Sequence, residues 1–324
     1  MIDPKPAGDD AVLPFAVEPL DIRGRVVKMG PELTSLLLRH QYPEAVNKLL
    51  AEAIALTSLL GSTLKNEGRL TLQAQSDGAV SVLVVDFNAP HALRATARYD
   101  SEKLAQITAN KDYRPSDLLG KGHLALTIEQ GANTPRYQGV VVLDGKSLEE
   151  VAHSYFMQSE QIPTRVRLGV AQLITRDEQS GKNVQSWRAG GVMVQYLPKS
   201  EDRQRQQDIH PGDAPEGQSV ATREEADAWM EARALIDTVK DDELTDPALS
   251  VEELLYRLFH EHGVSAFESQ SLKDQCTCSE EKITNMLKGL PQQDREEIQQ
   301  DPIIEINCDF CSKTYKLDPK DVFK

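Results

Sequence analysis

Residues 276–311 read CTCSEEKITNMLKGLPQQDREEIQQDPIIEINCDFC, and they hold every cysteine in the chain. The thiols form two close pairs, Cys276-x-Cys278 and Cys308-x-x-Cys311, separated by residues 279–307. Folding of the intervening segment can bring such pairs around one tetrahedral zinc ion, which makes all four cysteines candidate ligands for a single Zn2+. The same pairs can also close as two local disulfides. Ser279 is placed to cap a short helix to about Lys288 with Gly289 as its stop, and Pro291 opens a second helix through about Gln300. Ile303 to Asn307 and Ser312 to Leu317 then read as two strands, joined by a tight turn that aims two sulfurs at one point.

On the residues alone, two readings of this cluster stand: a passive zinc site holding a small domain together, or a redox-responsive one. A thioredoxin-like oxidoreductase is disfavoured, because that chemistry wants its Cys-x-x-Cys at a helix N-terminus and residues 312–317 are strand-like. His260 and His262 are alternative ligands in principle, but four thiolates already complete the coordination, so they read as surface histidines. Zinc keeps the sulfurs deprotonated and leaves them as targets for peroxide or hypochlorite. Oxidising each pair removes two ligands. Metal binding supplies on the order of 10 kcal/mol of folding free energy in small domains, so its loss unfolds the module and whatever leans on it.

The segment upstream is the one that would lean. Residues 199–246 carry fourteen Asp or Glu against six Lys or Arg, and the tract His210 to Gly217 has too little apolar content to offset its ordering entropy, so it reads as a mobile loop. Beyond it Trp229, Ala232, Ile236 and Val239 fall at helical spacing, and Val251 to His262 forms a second apolar helix with Leu254, Leu255, Leu258 and Phe259 on one side. Narrow stripes on like-charged helices depend on docking against a neighbour. This is a metastable helical linker.

Residues 1–198 read as one mixed domain. A long helix runs from Pro43 to about Lys65, apolar on more than one face and therefore buried between other elements. Arg69 to Gln75 and Ala79 to Phe87 are strands about the turn Asp77-Gly78, and His123 to Glu129 with Arg136 to Leu143 form a second pair. The echo of Gly68-Arg-Leu-Thr-Leu in Gly122-His-Leu-Ala-Leu is too short to establish a repeat. Ser147 and Glu150 occupy the positions of a capping box for a helix through about Glu160 that Pro163 ends, and Thr164 to Ile174 and Gly191 to Leu197 are further strands. Tyr155, Phe156 and Trp229 are placed as core rather than as ligand contacts, and Arg165 and Arg167 as the polar face of a strand. The expected architecture is thus α+β: a mixed sheet-and-helix domain over 1–198, a helical linker over 199–263 and a small zinc-binding domain over 264–324.

Composition narrows the function. With 40% hydrophobic and 27% charged residues the chain has the balance of a soluble globular protein, and its longest uncharged run in the most apolar segment, Ala53 to Leu64, is too short to span a bilayer. A net charge of -15 argues against nucleic acid as the main partner. The N-terminus lacks a signal core, so a cytoplasmic location is expected, and a reducing compartment suits zinc-held thiolates. No Gly-rich phosphate loop, nucleophile elbow or paired-histidine metal motif points to an enzyme.

Taken in order, Tyr42-Pro43, Ala51 to Leu64, Arg136-Tyr137-Gln138-Gly139-Val140, Tyr155 to Thr164, Ala189-Gly190-Gly191, Leu255 to Glu261, Cys276-Thr277-Cys278-Ser279 and Cys308-Asp309-Phe310-Cys311 resemble the redox-regulated heat-shock protein 33 chaperone family. The resemblance covers nearly the whole chain. It implies a cytoplasmic holdase, inactive while reduced and zinc-bound. It further implies an oxidised state with Cys276 paired to Cys278 and Cys308 to Cys311, the distal pair sensing peroxide and linker unfolding governing the proximal pair. By the same resemblance the active form is a homodimer built through the N-terminal domain, binds unfolding or oxidatively damaged proteins without ATP, and passes them to ATP-dependent foldases. The departure from the family pattern is an extended, acidic linker around Glu201 to Ala228. The competing reading is a constitutive zinc-ribbon module that binds protein or nucleic acid with its metal in place.

Overall fold

The structure, a computed structural model, describes residues 8–64, 67–110, 112–131, 135–176, 182–197 and 223–323. The loop expected at His210 to Gly217 and most of the acidic extension lie outside the described residues. Strands β1 (Ala11–Val17) and β2 (Ile22–Met29) lead into helices α1 (Pro31–Leu38) and α2 (Glu44–Gly61). Next come β3 (Gly68–Ser76), β4 (Val80–Asn88), β5 (Ala92–Tyr99), α3 (Ser101–Thr108), β6 (Lys121–Gln130), β7 (Tyr137–Asp144) and α4 (Leu148–Tyr155). A long hairpin, β8 (Thr164–Arg176) and β9 (Asn183–Tyr196), follows. Helices α5 (Arg223–Asp237), α6 (Asp241–Thr245) and α7 (Val251–Phe259) precede three short strands, β10 (Ser265–Ala266), β11 (Gln270–Ser271) and β12 (Lys273–Asp274). Finally α8 (Glu280–Lys288), α9 (Gln292–Ile298), the hairpin β13 (Ile304–Asn307) and β14 (Thr314–Leu317), and α10 (Pro319–Val322) build a separate small core.

The fold is α+β and layered. One sheet runs β10-β1-β2-β9-β8, with β11 also on β1, and the other runs β12-β5-β4-β3-β6-β7. Helix α2 lies between them, which is why Leu49, Leu50, Ile54, Leu56 and Leu59 can all be buried although they point in different directions. The Asp77-Gly78 turn joins β3 to β4 as expected, and the two echoing segments lie side by side as the antiparallel neighbours β3 and β6. The Ser147 capping box forms, its hydroxyl accepting from the Glu150 amide at 3.2 Å and the Glu150 carboxylate accepting from the Ser147 amide at 2.8 Å. The helix it starts is α over Leu148–Tyr155 and closes with one π turn over Phe156–Glu160, reaching the expected end. Tyr155 and Phe156 are buried, as their spacing implied.

Strand periodicity gives the first sheet two apolar faces. Val12, Val27 and Met193 face α2, whereas Phe15, Val26, Val192 and Val194 face the other way. That second face is covered by the linker: Ala232, Ile236, Leu244, Leu254 and Phe259 close a core of their own over it, with Trp229 packed at its margin. Each fully buried Ile, Leu or Phe side chain among these contributes roughly 1.5–3 kcal/mol, so the linker's helices hold their shape by docking.

Three devices, two polar and one steric, fix the linker's register. Lys28 on β2 is 3% exposed and donates to the carbonyls of Glu243, Asp246 and Leu249 at 2.9, 3.0 and 2.6 Å. Gly169 and Gly190, paired across β8 and β9, leave a bare patch of sheet on which α6 sits; a methyl at Gly190 would collide with the Leu244 carbonyl. Arg165 binds Asp237 at 2.5 Å, and Arg167 binds Asp241 at 3.1 Å as well as Glu149 at 3.3 Å. The two arginines do sit on a strand's polar side, but that side is where the linker lands.

After α7 the chain becomes a strap. β10 and β11 add to the edge of β1, and β12 adds parallel to β5, so ten residues stitch both sheets together immediately before Cys276. Pro14 accounts for the gap between β10 and β11, because it offers no N–H to a partner strand; the strap bulges past it, and the Phe267 amide donates to its carbonyl at 2.9 Å. Among the described residues no helix is long and apolar enough to cross a membrane.

Candidate metal centre

The elements around the thiols form as their local chemistry dictates. Ser279 caps α8 by accepting from the Lys282 amide at 3.2 Å, Gly289 follows its end, and Pro291 precedes α9. β13 and β14 pair from Ile304 with Leu317 to Asn307 with Thr314, leaving Cys308 to Cys311 as the knuckle between them. Within the knuckle the Ser312 amide donates to the Cys308 carbonyl at 2.8 Å, and Ser312 takes a left-handed φ of 56° to complete the turn. Ile283, Leu287, Ile304, Tyr315 and Leu317 pack beneath, so α8 and the hairpin are held together and the two thiol pairs meet.

All four sulfurs lie within 4.8 Å of one another, and all four thiols are free. Cys276 and Cys308 approach to 3.7 Å, and Cys278 and Cys311 to 3.4 Å. A tetrahedron with zinc–sulfur bonds of about 2.3 Å has edges of about 3.8 Å, so the spacing suits one such ion. The nearest approaches run across the two pairs rather than within them. The Tyr315 hydroxyl donates to the Cys278 sulfur at 3.1 Å. Burial works against ionisation of Cys278, but the Tyr315 bond and the neighbouring thiols outweigh it and bring the group down to about 7. Burial, reinforced by the other thiols, pushes Cys311 up to about 12 and raises Cys276. Four converging thiols cannot all ionise without a cation among them, and this donor set can hold a metal ion. His260 and His262 stand apart, His260 against the Tyr256 ring and His262 bonded to Glu231 at 2.9 Å.

The centre is docked on α1 and the second sheet. Asp274 pairs with Arg39 and Ser35, its amide donates to Glu32 at 2.7 Å, and Asp309 in the knuckle meets Arg98 at 3.1 Å. Arg94 lies over the Phe310 ring, 4.1 Å from its centroid. A crevice of about 440 Å³, lined by Tyr42, Thr96, Arg98, Cys308 and Ser312 among others, runs along this seam. None of Lys28, Arg94, Arg98, Arg165 or Arg167 is marked by a local motif, since each meets a partner far away in the chain; only the strand that carries Arg165 and Arg167 was readable.

A family model described as Hsp33 protein matches residues 10–318. The 33 kDa chaperonin of Caulobacter vibrioides is 41% identical over 314 residues, covering 96% of this chain and 95% of its own length. That of Pseudomonas aeruginosa is 36% identical over 310 residues, covering 95% and 91%. The crystal structure of the Thermotoga maritima 33 kDa chaperonin, a heat shock protein 33 homologue, superposes with a TM-score of 0.70 at 17% identity over 97% of both chains, a likeness of fold. With the layered sheets, the docked linker and the four-thiol knuckle, these matches place the chain in the Hsp33 family of chaperones, whose work is the binding of unfolded proteins.

Proposed function

We propose that this chain is a redox-switched, ATP-independent holdase of the cytoplasm, organised as an N-terminal domain (1–198), a linker (199–263) and a switch domain (264–324). In the reduced protein Cys276, Cys278, Cys308 and Cys311 hold one Zn2+, whose contribution is to keep the four sulfurs together as thiolates. Peroxide oxidises a pair in two steps. One thiolate attacks a peroxide oxygen, the O–O bond breaks and hydroxide leaves, giving a sulfenic acid; the second thiolate displaces hydroxide from that sulfur. Two electrons pass to the peroxide and one disulfide forms, first Cys308–Cys311 and then Cys276–Cys278. A pair closed in this way has no thiolate left for a cation. The module then loses its centre, the strap loses its anchor, and the linker leaves the first sheet and presents apolar surface to unfolding proteins. Homodimerisation through the N-terminal domain and hand-over to ATP-dependent foldases after reduction complete the cycle.

The observation that carries this reading is the continuity of linker, strap and thiol centre. Phe259, the last residue of α7, is buried under the first sheet, and the strap leads from there along both sheets to Cys276. The test is suppression of aggregation of a chemically denatured protein before and after peroxide, with zinc release read by a chromogenic chelator. The expected result is release of one zinc per chain together with the onset of capture. Release without capture would instead favour the constitutive zinc-ribbon module.

A further inference from the structure

The thiol module is seated on a surface of opposite charge to the chain as a whole. Strand alternation puts Arg94, Thr96 and Arg98 of β5 on one face, beside Asp86 of β4 and Arg69 of β3. Arg39, His40 and Tyr42, which follow α1, border them: His40 stacks on the Tyr42 ring with centroids 4.9 Å apart, and the Tyr42 hydroxyl donates to the Ala97 carbonyl at 2.9 Å. Buried Asp86 is shared by Arg69 at 2.7 Å and Arg94 at 2.6 Å, so one carboxylate serves two cations. The guanidinium groups of Arg39, Arg69, Arg94 and Arg98 thus face only the carboxylates of Asp86 and Glu32 from the body beneath, a basic patch on a chain of net charge -15. What covers it is acidic and aromatic. Asp274 of the strap pairs with Arg39 and accepts from the Ser35 hydroxyl at 2.9 Å, Asp309 meets Arg98 at 3.1 Å, and the Phe310 centroid lies 4.1 Å from Cζ of Arg94. Ser312 Oγ stands 3.5 Å from Nδ1 of His40.

We propose that this patch is a polypeptide-binding surface which the thiol module occupies in the reduced chain, and which, once the module lifts, takes acidic segments carrying aromatic residues from unfolded proteins. The proposal rests on the reading of the thiol centre as a redox switch. The module itself shows what fits: a carboxylate on Arg39, a carboxylate on Arg98 and a ring on Arg94, delivered by a two-residue strand and a turn rather than by a helix. A guanidinium fork holds a carboxylate with directional, charge-assisted bonds, and its planar face stacks on an aromatic ring, so both contacts can be remade by a segment with no fold of its own. The linker's apolar stripes select for no charge, and the chain's overall charge repels acidic polypeptides. A preference for acidic segments therefore has to come from a local basic patch, and it separates this surface from the rest of the molecule.

The experiment uses the full-length, zinc-loaded chain before and after peroxide and follows two fluorescein-labelled peptides by anisotropy, one repeating Gly-Asp-Phe-Ser and the other Gly-Lys-Phe-Ser. Zinc release and suppression of aggregation of a denatured protein are read on the same samples. The oxidised chain should bind the acidic peptide about tenfold more tightly at low salt, because Arg39 and Arg98 turn from attraction to repulsion between the two; the reduced chain should show no such preference. In R39E/R98E the preference should reverse. R98E, at a side chain 71% exposed, should lower it about threefold, and this variant decides if the double one does not fold. Equal binding of both peptides, or tighter binding of the basic one, by an oxidised chain that has released zinc and suppresses aggregation overturns the patch and leaves the switch standing. A preference unchanged in R98E, or already present in the reduced chain, overturns it as well. Tighter capture of a single-stranded thymidine oligonucleotide than of the acidic peptide would assign the patch to nucleic acid and overturn the proposal. A chain that releases no zinc and suppresses no aggregation sinks the parent reading, and the proposal with it.

Discussion

Replacing Lys28 by Met removes the ammonium that three linker carbonyls share while keeping a side chain of similar length. The bonds to Glu243, Asp246 and Leu249 are 2.9, 3.0 and 2.6 Å, and the lysine is 3% exposed. A hydrogen bond to a charged group nets roughly 1.5–3 kcal/mol. Three of them are offset by the several kcal/mol that desolvating an ammonium costs. After that offset, and with three carbonyls left without a donor, the linker should lose about 2–3 kcal/mol of docking free energy, roughly a 30- to 160-fold shift toward the undocked state. Hydrogen exchange on the reduced, zinc-loaded chain reads this directly: amides of α6 and α7 should lose protection by that factor while those of α2 keep theirs. Capture of unfolded protein should begin without oxidant. Unchanged exchange in α6 would show that the apolar contacts alone hold the linker and would refute the reasoning.

Replacing Cys308 by Ser should weaken zinc binding and destabilise the knuckle even in reductant; metal stoichiometry equal to that of the unmodified chain would count against Cys308 as a ligand. Gly190→Ala should drive α6 off the sheet at a cost of about 1–3 kcal/mol, seen as lost amide protection over Asp241–Thr245, because the added methyl meets the Leu244 carbonyl. His153 accepts from the Val166 amide at 2.9 Å, and burial, aided by Arg165, lowers it from 6.5 to about 4. The folded state therefore binds this proton less well than the unfolded chain. The stabilisation is present above pH 6.5 and is lost as pH falls toward 4. Glu52, raised by burial to about 8, contributes with the opposite slope. The clean measurement is thus the gap in melting stability between wild type and His153→Gln, which should narrow by up to about 2 kcal/mol on going from pH 7 to pH 5; a constant gap would remove His153 from the account.

How far the sequence could be read depended on the range of each interaction. Short-range signals were sufficient for α2, whose all-round apolar surface foretold a helix between layers, for the Asp77-Gly78 hairpin, and for the caps at Ser147 and Ser279. The thiol cluster was readable from spacing because the hairpin and the helix that shape it are local. β1, β2 and β5 were not assigned: Pro14 interrupts β1, Gly24 and charged residues interrupt β2, and both belong to a sheet whose order is set by distant partners. Residues 265–274 carry no strand signal of their own, since each of their strands is two residues long and exists only by joining an edge already there. Arg165 and Arg167 looked like solvated strand residues because Asp237 and Asp241 lie more than seventy positions away.

The strap has a further consequence. By lying along β1 and β5 it occupies part of one margin of each sheet, positions where unpaired amides and carbonyls would otherwise recruit foreign strands. A molecule that peels it away bares two raw backbone seams at once, so it becomes adhesive toward its own kind as well as toward damaged neighbours. Resealing those seams depends on the strap finding its register on either side of Pro14, which makes the return journey a matter of alignment as much as of chemistry.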